Sequence, residues 1–275
     1  KCHFAKDTVY VQVGAGDIDH GNWLPPEYIN YKYPAFKIDS KNPGSEVAAE
    51  TASSLAAASI LFKEEDSAYS ATLLKHAIEI YDLADSYRDD YTKAVPGAQG
   101  YYSSYSGFND ELAWGAMWLY RATGEESYYE KYKVIADKEY SEWDRQKFTG
   151  CEEPISWDDK RAGAYILAAV TTKDESRMKI AEKYSDTIIS QPRTKGGLWY
   201  STTLSMWASN RYAANGASVI AIYANMLPES DSKRKKYVDF VKSQIDYILG
   251  NNPANVNYVV GAEDNSPKSV HHRGA

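Results

Sequence analysis

Apolar and polar positions follow two different helical patterns along this chain. Residues 45–63, SEVAAETASSLAAASILFK, are alanine-rich and apolar on nearly every side, which predicts a helix that starts at an N-cap Ser45 and packs closely against its neighbours. Residues 67–87, SAYSATLLKHAIEIYDLADSY, instead leave Lys75, His76 and Glu79 outward on a helix whose apolar positions are Leu73, Leu74, Ala77, Ile78, Ile80 and Tyr81. The second pattern is typical of an amphipathic helix that faces water.

The same pairing recurs three more times. An apolar helix closed by Gly124 precedes a charged one, and two similar pairs follow; the predicted ranges are 108–123 with 125–140, 158–172 with 174–190, and 207–227 with 230–250. Pairs at intervals of roughly 45–60 residues are what two concentric helical layers require, with covered inner helices and solvated outer ones. The pattern predicts an all-α fold.

Long loops rich in Gly, Ser, Tyr and Trp precede the inner helices. Loops on one face of a rigid scaffold usually form the functional site. The four loops are VGAGDIDHGNWLPPE (13–27), GAQGYYSSYSG (97–107), CEEPISWDD (151–159) and RTKGGLWYSTTLSMW (193–207). No linker or low-complexity segment divides the chain, which predicts one domain.

Composition narrows the function. The 275 residues are 43% hydrophobic, which is enough for a sizeable core. The net charge is −7 and acidic and basic residues are interspersed along the chain, so no basic surface is predicted and we expect no nucleic-acid partner. No apolar run approaches the roughly 20 residues that cross a bilayer, so we expect no membrane association. Cys2 and Cys151 are the only cysteines, allow at most one disulfide, and are expected to be free buried thiols.

Aromatic residues stand beside carboxylates or amides in each loop. The chain has 24 Tyr and 7 Trp but only 6 Phe. Flat rings stack on the apolar faces of sugars while polar neighbours bind hydroxyl groups, so this pattern favours a carbohydrate cleft. The alternative is that each aromatic ring covers the core. The candidates are Asp19, His20, Trp23, Tyr102, Tyr105, Asp110, Glu111, Trp157, Asp158, Asp159, Trp199, Trp207 and Arg211.

Two acids and two histidines have alternative explanations. Asp110 and Glu111 lie in the first turn of a helix, where negative charge complements the helix dipole, yet SGFNDEL also offers the hard oxygen ligands that calcium prefers.

His271 and His272 are adjacent, so in an extended segment they point in opposite directions and are not expected to bind one ion together.

Six segments carry a family resemblance. YVQVGAGDIDHGNW, NPGSEVAAETASSLAAASILFK, YYSSYSGFNDELAWGAMWLYRATG, SWDDKRAGAYILAA, NRYAANGASVIAIYA and LGNNPANVNYVVGAEDNSPKSVHHRGA occur in this order. The chain resembles the inverting endoglucanases of glycoside hydrolase family 9. The resemblance implies an all-α, (α/α)6 toroid, of which this chain supplies about two thirds. It also implies a secreted, extracellular, monomeric enzyme, with residues 1–275 as a partial catalytic domain lacking N-terminal and C-terminal segments.

The resemblance assigns roles to single residues. His271 is implied to be an active-site residue, cellulose or another β-1,4-glucan is the implied substrate, and calcium is the implied metal. The implied substrate-binding residues are His20, Trp23, Tyr102, Tyr105, Trp207, Arg211 and Arg273. The implied calcium site comprises Ser106, Gly107, Asp110, Glu111 and Asp158. The chain departs from the usual family residues at Ala15, Tyr105, Glu153, Asn251 and Glu263, which predicts weaker individual subsites.

Both catalytic carboxylates of the family lie in motifs that this sequence does not contain. The base belongs to a DAGD motif that precedes the matched region, and the acid belongs to an NEVA motif that follows it. We therefore expect the isolated 275 residues to leave carboxymethylcellulose uncleaved. A second hypothesis is a catalytically inactive, carbohydrate-binding or structural fragment.

Overall fold

The computed structural model describes residues 4–5, 7–139, 153–201 and 207–271. Cys2, Cys151, His272 and Arg273 lie outside these ranges, as do parts of the two loops 151–159 and 193–207. Within the described ranges, no helix has the length and apolar character needed to cross a membrane. Two compact units are present, one of Lys1–Asp144 with Asp158–Ala164, the other of Arg145–Trp157 with Tyr165–Ala275.

Unit 1 begins with a small antiparallel sheet. Its strands, in sheet order, are β1 (Phe4–Ala5), β2 (Thr8–Val13) and β3 (Ala35–Asp39). Val9 pairs with Ile38, and both side chains are buried. The β2–β3 ladder holds together the two ends of the segment 14–34, which contains a short helix, α1 (Gly16–His20). The helical pattern did not predict this sheet.

The rest of unit 1 is helical. Its helices are α2 (Ser45–Phe62), α3 (Ser67–Ser86), α4 (Asn109–Thr123) and α5 (Glu126–Val134), which continues as a π-helix over Ile135–Glu139. Single 3-10 turns span Pro26–Tyr28, Tyr91–Lys93 and Pro96–Ala98. Next, α6 (Arg161–Thr172) starts in unit 1 and continues into unit 2. In unit 2 lie α7 (Glu175–Ser190), α8 (Ser209–Ala224) and α9 (Ser232–Ile248).

The predicted helix pairs are present, with starts and ends within three residues of the predicted ones where the structure describes them. The two helix types also differ as predicted. Residues 161–169 of α6 are all buried, whereas α9 buries only Tyr237, Phe240 and Gln244, which recur at helical spacing. The all-α class is therefore confirmed, and closure into an (α/α)6 ring stays a prediction.

Small residues bring α2, α3 and α4 together. The alanines of α2 are buried against these neighbours, and Gly115 of α4 lies where a Cβ atom would be 2.9 Å from the Tyr81 ring of α3. The Tyr81 hydroxyl donates to the carbonyl of Leu112 at 3.0 Å. Close packing of the alanine-rich helix, expected from the sequence, is confirmed.

The N-cap prediction at Ser45 is wrong. Gly44 is the N-cap of α2. Glycine fits there because a Cβ atom would lie 2.7 Å from the Ile38 side chain. Ser45 is buried inside the first turn, and its hydroxyl donates to the carbonyl of Ala84 at 2.9 Å. The serine thus joins α2 to α3. The prediction that Gly124 closes α4 is confirmed, with φ of +74°.

Unit 2 has a core of aromatic residues held by polar bonds. Trp199 is fully buried, and its backbone N–H donates to Oε1 of Gln244 at 2.6 Å. Its indole N–H donates to Oε1 of Gln191 at 3.1 Å. On α8 and α9 the rings of Tyr223 and Tyr237 lie 5.7 Å apart. The two bonds of Trp199 fix the first part of the loop that precedes α8.

Candidate functional site

The segment 14–34 presents His20 and Trp23 to solvent. Nδ1 of His20 lies 2.8 Å from the carbonyl oxygen of Gly16. Because a carbonyl only accepts, Nδ1 carries the proton in the neutral ring and Nε2 keeps its lone pair. Trp23 is 64% exposed. Both side chains are therefore available to a ligand, as the carbohydrate hypothesis requires.

Tyr101, from the loop 97–107, packs on this segment. Its ring centroid lies 4.5 Å from that of His20, with a tilt of 34°. Its hydroxyl donates to Oδ1 of Asp17 at 2.8 Å, and this bond to a carboxylate raises the pKa of Tyr101. A Cβ at Gly16 would be 2.7 Å from the ring. Two loops that are distant in sequence thus meet through one tyrosine.

Tyr102 and Tyr105 stand on the same loop as Tyr101 with their rings in solvent. They are 57% and 73% exposed. The backbone N–H of Tyr105 donates to Oδ1 of Asp158 at 2.7 Å, and the Tyr91 hydroxyl donates to the carbonyl of Tyr102. These rings are exposed while hydrogen bonds already hold their backbone, so stacking against a sugar would cost little conformational entropy.

Oxygen atoms converge beside this loop, where calcium was predicted. The Ser106 hydroxyl donates to the carbonyl of Asp158 and lies 3.3 Å from Oδ2 of Asp110. Gly107 has φ of +82°, a conformation that favours glycine and turns the chain into α4. The structure brings four predicted ligands, Ser106, Gly107, Asp110 and Asp158, into one turn region.

Asp110 and Glu111 are buried acids at the start of α4. Burial raises the pKa of Asp110 to about 7, and the nearby Asp159 carboxylate adds to the shift. Burial also raises the pKa of Glu111 well above its usual range, with the charge of Asp110 adding to the effect. Among the described residues no atom hydrogen-bonds Oδ1 of Asp110 or Oε2 of Glu111. Both acids therefore favour protonation or a nearby cation.

Lys160 supplies positive charge to this region. Its backbone N–H donates to Oδ2 of Asp110 at 2.7 Å. Its ammonium group lies 3.6 Å from Oε1 of Glu111 and 3.9 Å from Oε2 of Glu50 on α2. The side chain is only 7% exposed, so its attraction to these acids is weakly screened by water. Lys160 joins the starts of α4 and α6 to α2.

Glu46 is a further buried acid of α2. Its Oε1 accepts the backbone N–H of Tyr91 at 2.9 Å. Burial raises the pKa of Glu46 to about 7, against which the Tyr91 N–H bond acts. The bond fixes the start of the segment that leads to Tyr101 and Tyr102.

In unit 2 the structure describes five of the predicted residues, namely Trp157, Trp199, Trp207, Arg211 and His271. Trp199 is fully buried, so this ring covers the core, as the alternative interpretation expected, and is not open to a ligand. Trp207 is 82% exposed just before α8, and Arg211 lies in the first turn of that helix. The Arg211 guanidinium lies 4.6 Å from the centroid of the Tyr212 ring and donates to its hydroxyl at 2.7 Å. His271 is exposed. Arg273, also predicted to bind substrate, lies outside the described residues.

Lys160, Tyr101, Glu46 and Glu50 are not among the residues that the sequence predicted for the site. A lysine after two aspartates in SWDDK was a usable signal, because a buried acid pair needs a cation. The spacing of Glu46 and Glu50, four residues apart on an alanine-rich helix, was another. Within the ranges that the structure describes, His, Cys, Asp and Glu side chains alone form no group of three that could hold a metal ion. Any cation here would need hydroxyl and carbonyl ligands too.

Helical pairs preceded by loops with exposed aromatic residues, together with buried acids at the start of α4 in unit 1, define a class of all-α proteins whose candidate site is formed by loops. The model of glycosyl hydrolase family 9 matches residues 1–275, and this chain belongs to that family. Endoglucanase A of Bacillus pumilus is 42% identical over all of this chain, which spans 42% of that protein. The chain thus covers less than half the length of this curated relative.

Solved structures agree with this membership. The endoglucanase of the termite Nasutitermes takasagoensis superimposes with a TM-score of 0.87 at 36% identity, over 99% of this chain and 59% of that one. Endoglucanase CelQ of Clostridium thermocellum, solved in complex with cellotetraose, gives a TM-score of 0.83 at 34% identity, over 99% of this chain and 44% of that one.

Proposed function

We propose that the protein carrying this chain hydrolyses internal β-1,4-glucosidic bonds of cellulose or a related glucan. The observation that carries the proposal is the set of exposed rings at Trp23, Tyr102 and Tyr105, which stand on two loops that meet at Tyr101. Family membership and the names of relatives, which are endoglucanases, support it. The cellotetraose bound by CelQ supports an oligosaccharide ligand for these rings.

The proposed reaction inverts the configuration of the anomeric carbon. Inversion needs one carboxylate to activate water and another acid to protonate the leaving oxygen, about 6.5–9.5 Å apart. We assign these roles to the DAGD and NEVA motifs of the family, which residues 1–275 do not contain. To this chain we assign glucan binding, through His20, Trp23, Tyr102, Tyr105, Trp207, Arg211 and Arg273, and an active-site role for His271. Because cellulose is an insoluble polymer, we place the activity outside the cell.

Proton NMR of the first products tests the reaction. Cellotetraose incubated with the protein should release cellobiose whose new reducing end is initially the α-anomer. A new reducing end that is initially β would show retention and overturn the inverting mechanism. Trp23→Ala should raise KM because a stacking surface is lost, whereas Tyr28→Phe, at an exposed tyrosine of the same segment, should not. Binding without any hydrolysis would support an inactive carbohydrate-binding protein instead.

Calcium is part of the same proposal. Ser106, Gly107, Asp110, Glu111 and Asp158 would hold the ion through hydroxyl, carbonyl and carboxylate oxygens. The fit is supported by the convergence of Ser106 Oγ, Asp110 Oδ2 and the Asp158 carbonyl, and by the buried Oδ1 of Asp110. The ion would neutralise buried carboxylates and fix the loop that bears Tyr105. Its role is structural.

A further inference from the structure

Tyr101 joins two loops that otherwise have separate supports. The segment 14–34 is held by the β2–β3 ladder, and the loop 97–107 lies between a 3-10 turn and α4. The Tyr101 hydroxyl bonds Asp17 across 84 residues of sequence. The half-buried ring packs over Gly16 and against His20. One side chain therefore contacts both ends of α1.

The ring of Tyr101 also limits how the His20 imidazole can turn. His20 bonds the carbonyl of Gly16 through Nδ1, and Tyr101 lies against the same two residues. If the imidazole rotated into water it would favour the Nε2–H form, which is the usual neutral tautomer of free histidine. Keeping the proton on Nδ1 leaves Nε2 as a hydrogen-bond acceptor. A sugar hydroxyl is the donor that such an acceptor would bind.

We propose that Tyr101 is a positioning residue that holds His20 as the Nδ1–H tautomer, with Nε2 ready to accept a glucan hydroxyl. Asp17 anchors the Tyr101 hydroxyl, and Gly16 provides the space for its ring. The inference rests on the proposed function for its ligand, but not for the tautomer. No proton is transferred, so the arrangement acts on binding and not on bond cleavage.

Three substitutions separate the parts of this arrangement. Tyr101→Ala removes both the ring and the bond to Asp17, whereas Tyr101→Phe removes only the bond. Gly16→Ala keeps Tyr101 but places a Cβ 2.7 Å from its ring, which must move. Helix propensity alone would make alanine the better residue in α1, so a loss from Gly16→Ala reports the contact with Tyr101. Tyr28→Phe is the matched control, at a tyrosine that is 73% exposed.

Long-range proton–nitrogen NMR with labelled histidine reads the His20 tautomer without any glucan. We expect the Nδ1–H signature in the wild type and in Tyr28→Phe, and a mixture with Nε2–H in Tyr101→Ala and Gly16→Ala. In the full-length protein that carries this chain, Tyr101→Ala and Gly16→Ala should raise KM for cellotetraose about tenfold and change kcat little, because uniform binding is lost. The KM of Tyr101→Phe should lie between the KM of these two variants and that of the wild type.

A Tyr101→Ala protein that keeps the Nδ1–H signature and the wild-type KM would overturn the inference. If Tyr101→Ala does not fold, Tyr101→Phe and Gly16→Ala test the inference in its place. An unchanged His20 tautomer and an unchanged KM in both variants would overturn the inference equally. A wild type that neither binds nor cleaves glucan would contradict the proposed function alone, since the tautomer is measured in its absence. A wild-type His20 with its proton on Nε2 would contradict the inference alone.

Discussion

Buried acids in unit 1 differ in what offsets their charge. Glu111 lies near the ammonium group of Lys160, and Asp110 accepts the backbone N–H of the same lysine. The charge of Glu46 is offset by hydrogen bonds, chiefly that from the backbone N–H of Tyr91, with its own N–H and the Ser104 side chain contributing less. An acid with so little compensation keeps its proton at a pH where a hydrated acid would lose it. Glu46 should therefore make folding stability depend on pH.

The Glu46→Gln substitution tests this dependence. The pKa of Glu46 is about 7 in the folded state and 4.5 ordinarily, so between these pH values the folded state binds a proton that the unfolded state has lost. The unfolding free energy is therefore highest below pH 4.5 and falls as the pH rises to 7. We expect the wild type to lose up to about 3 kcal/mol of unfolding free energy across that window relative to Glu46→Gln. Urea denaturation at several pH values measures it. Glu64→Gln, at an exposed glutamate, is the control, and parallel pH profiles of Glu46→Gln and wild type would refute the assignment.

Helix packing at Gly115 shows how one residue sets the distance between elements. A methyl group at this position would lie 2.9 Å from the Tyr81 ring and 3.3 Å from the carbonyl of Ala49. The three helices α2, α3 and α4 thus meet at a point that has no room for a side chain. Burial of the alanines of α2 depends on this close approach.

Gly115→Ala should destabilise the protein despite the better helix propensity of alanine. Overpacking costs about 1–3 kcal/mol, which outweighs the gain of about 1 kcal/mol from replacing a helical glycine. Gly97→Ala is a matched control, because nothing lies within 4 Å of its Cβ position. Thermal unfolding compares the two variants. Equal melting temperatures for wild type and Gly115→Ala would mean that Tyr81 moves aside at no cost.

The helices were predictable because their signals are local. Asp66 accepts the N–H of Tyr69 and starts α3, while Gly124 ends α4, and both lie within a few residues of what they cap. The β1 strand has only two residues, too few for a pattern. The cap at Ser45 failed because Ile38 and Ala84, which are distant in sequence, decide its role.

The same contrast applies to the site. Residue types in each loop predicted aromatic and acidic candidates, because a ring beside a carboxylate can be seen within one short stretch of sequence. The contacts of Lys160 with Glu50 and Glu111 and of Tyr101 with Asp17 join residues that no sequence window contains together. Tertiary packing alone brings them into contact.

At the scale of the whole molecule, calcium should stabilise the folded state. Ligand that binds only the folded form adds about 2.7 kcal/mol of unfolding free energy at a hundred times its Kd. We expect a chelator to lower the melting temperature and added calcium to restore it. Asp110→Asn should abolish this response, and Asp264→Asn, at an exposed aspartate, should keep it. A melting temperature that neither chelator nor added calcium changes would show that the acids at the start of α4 bind no calcium.

The bond from the Lys160 N–H to Asp110 spans 50 residues and therefore has a consequence for synthesis of the chain. The ribosome needs about 3–10 s to add that many residues. The residues of α2, α3 and α4 are all added before Lys160, so Asp110 must stay hydrated until its later partner has been made. Translation thus completes the scaffold before the acidic cluster is sealed.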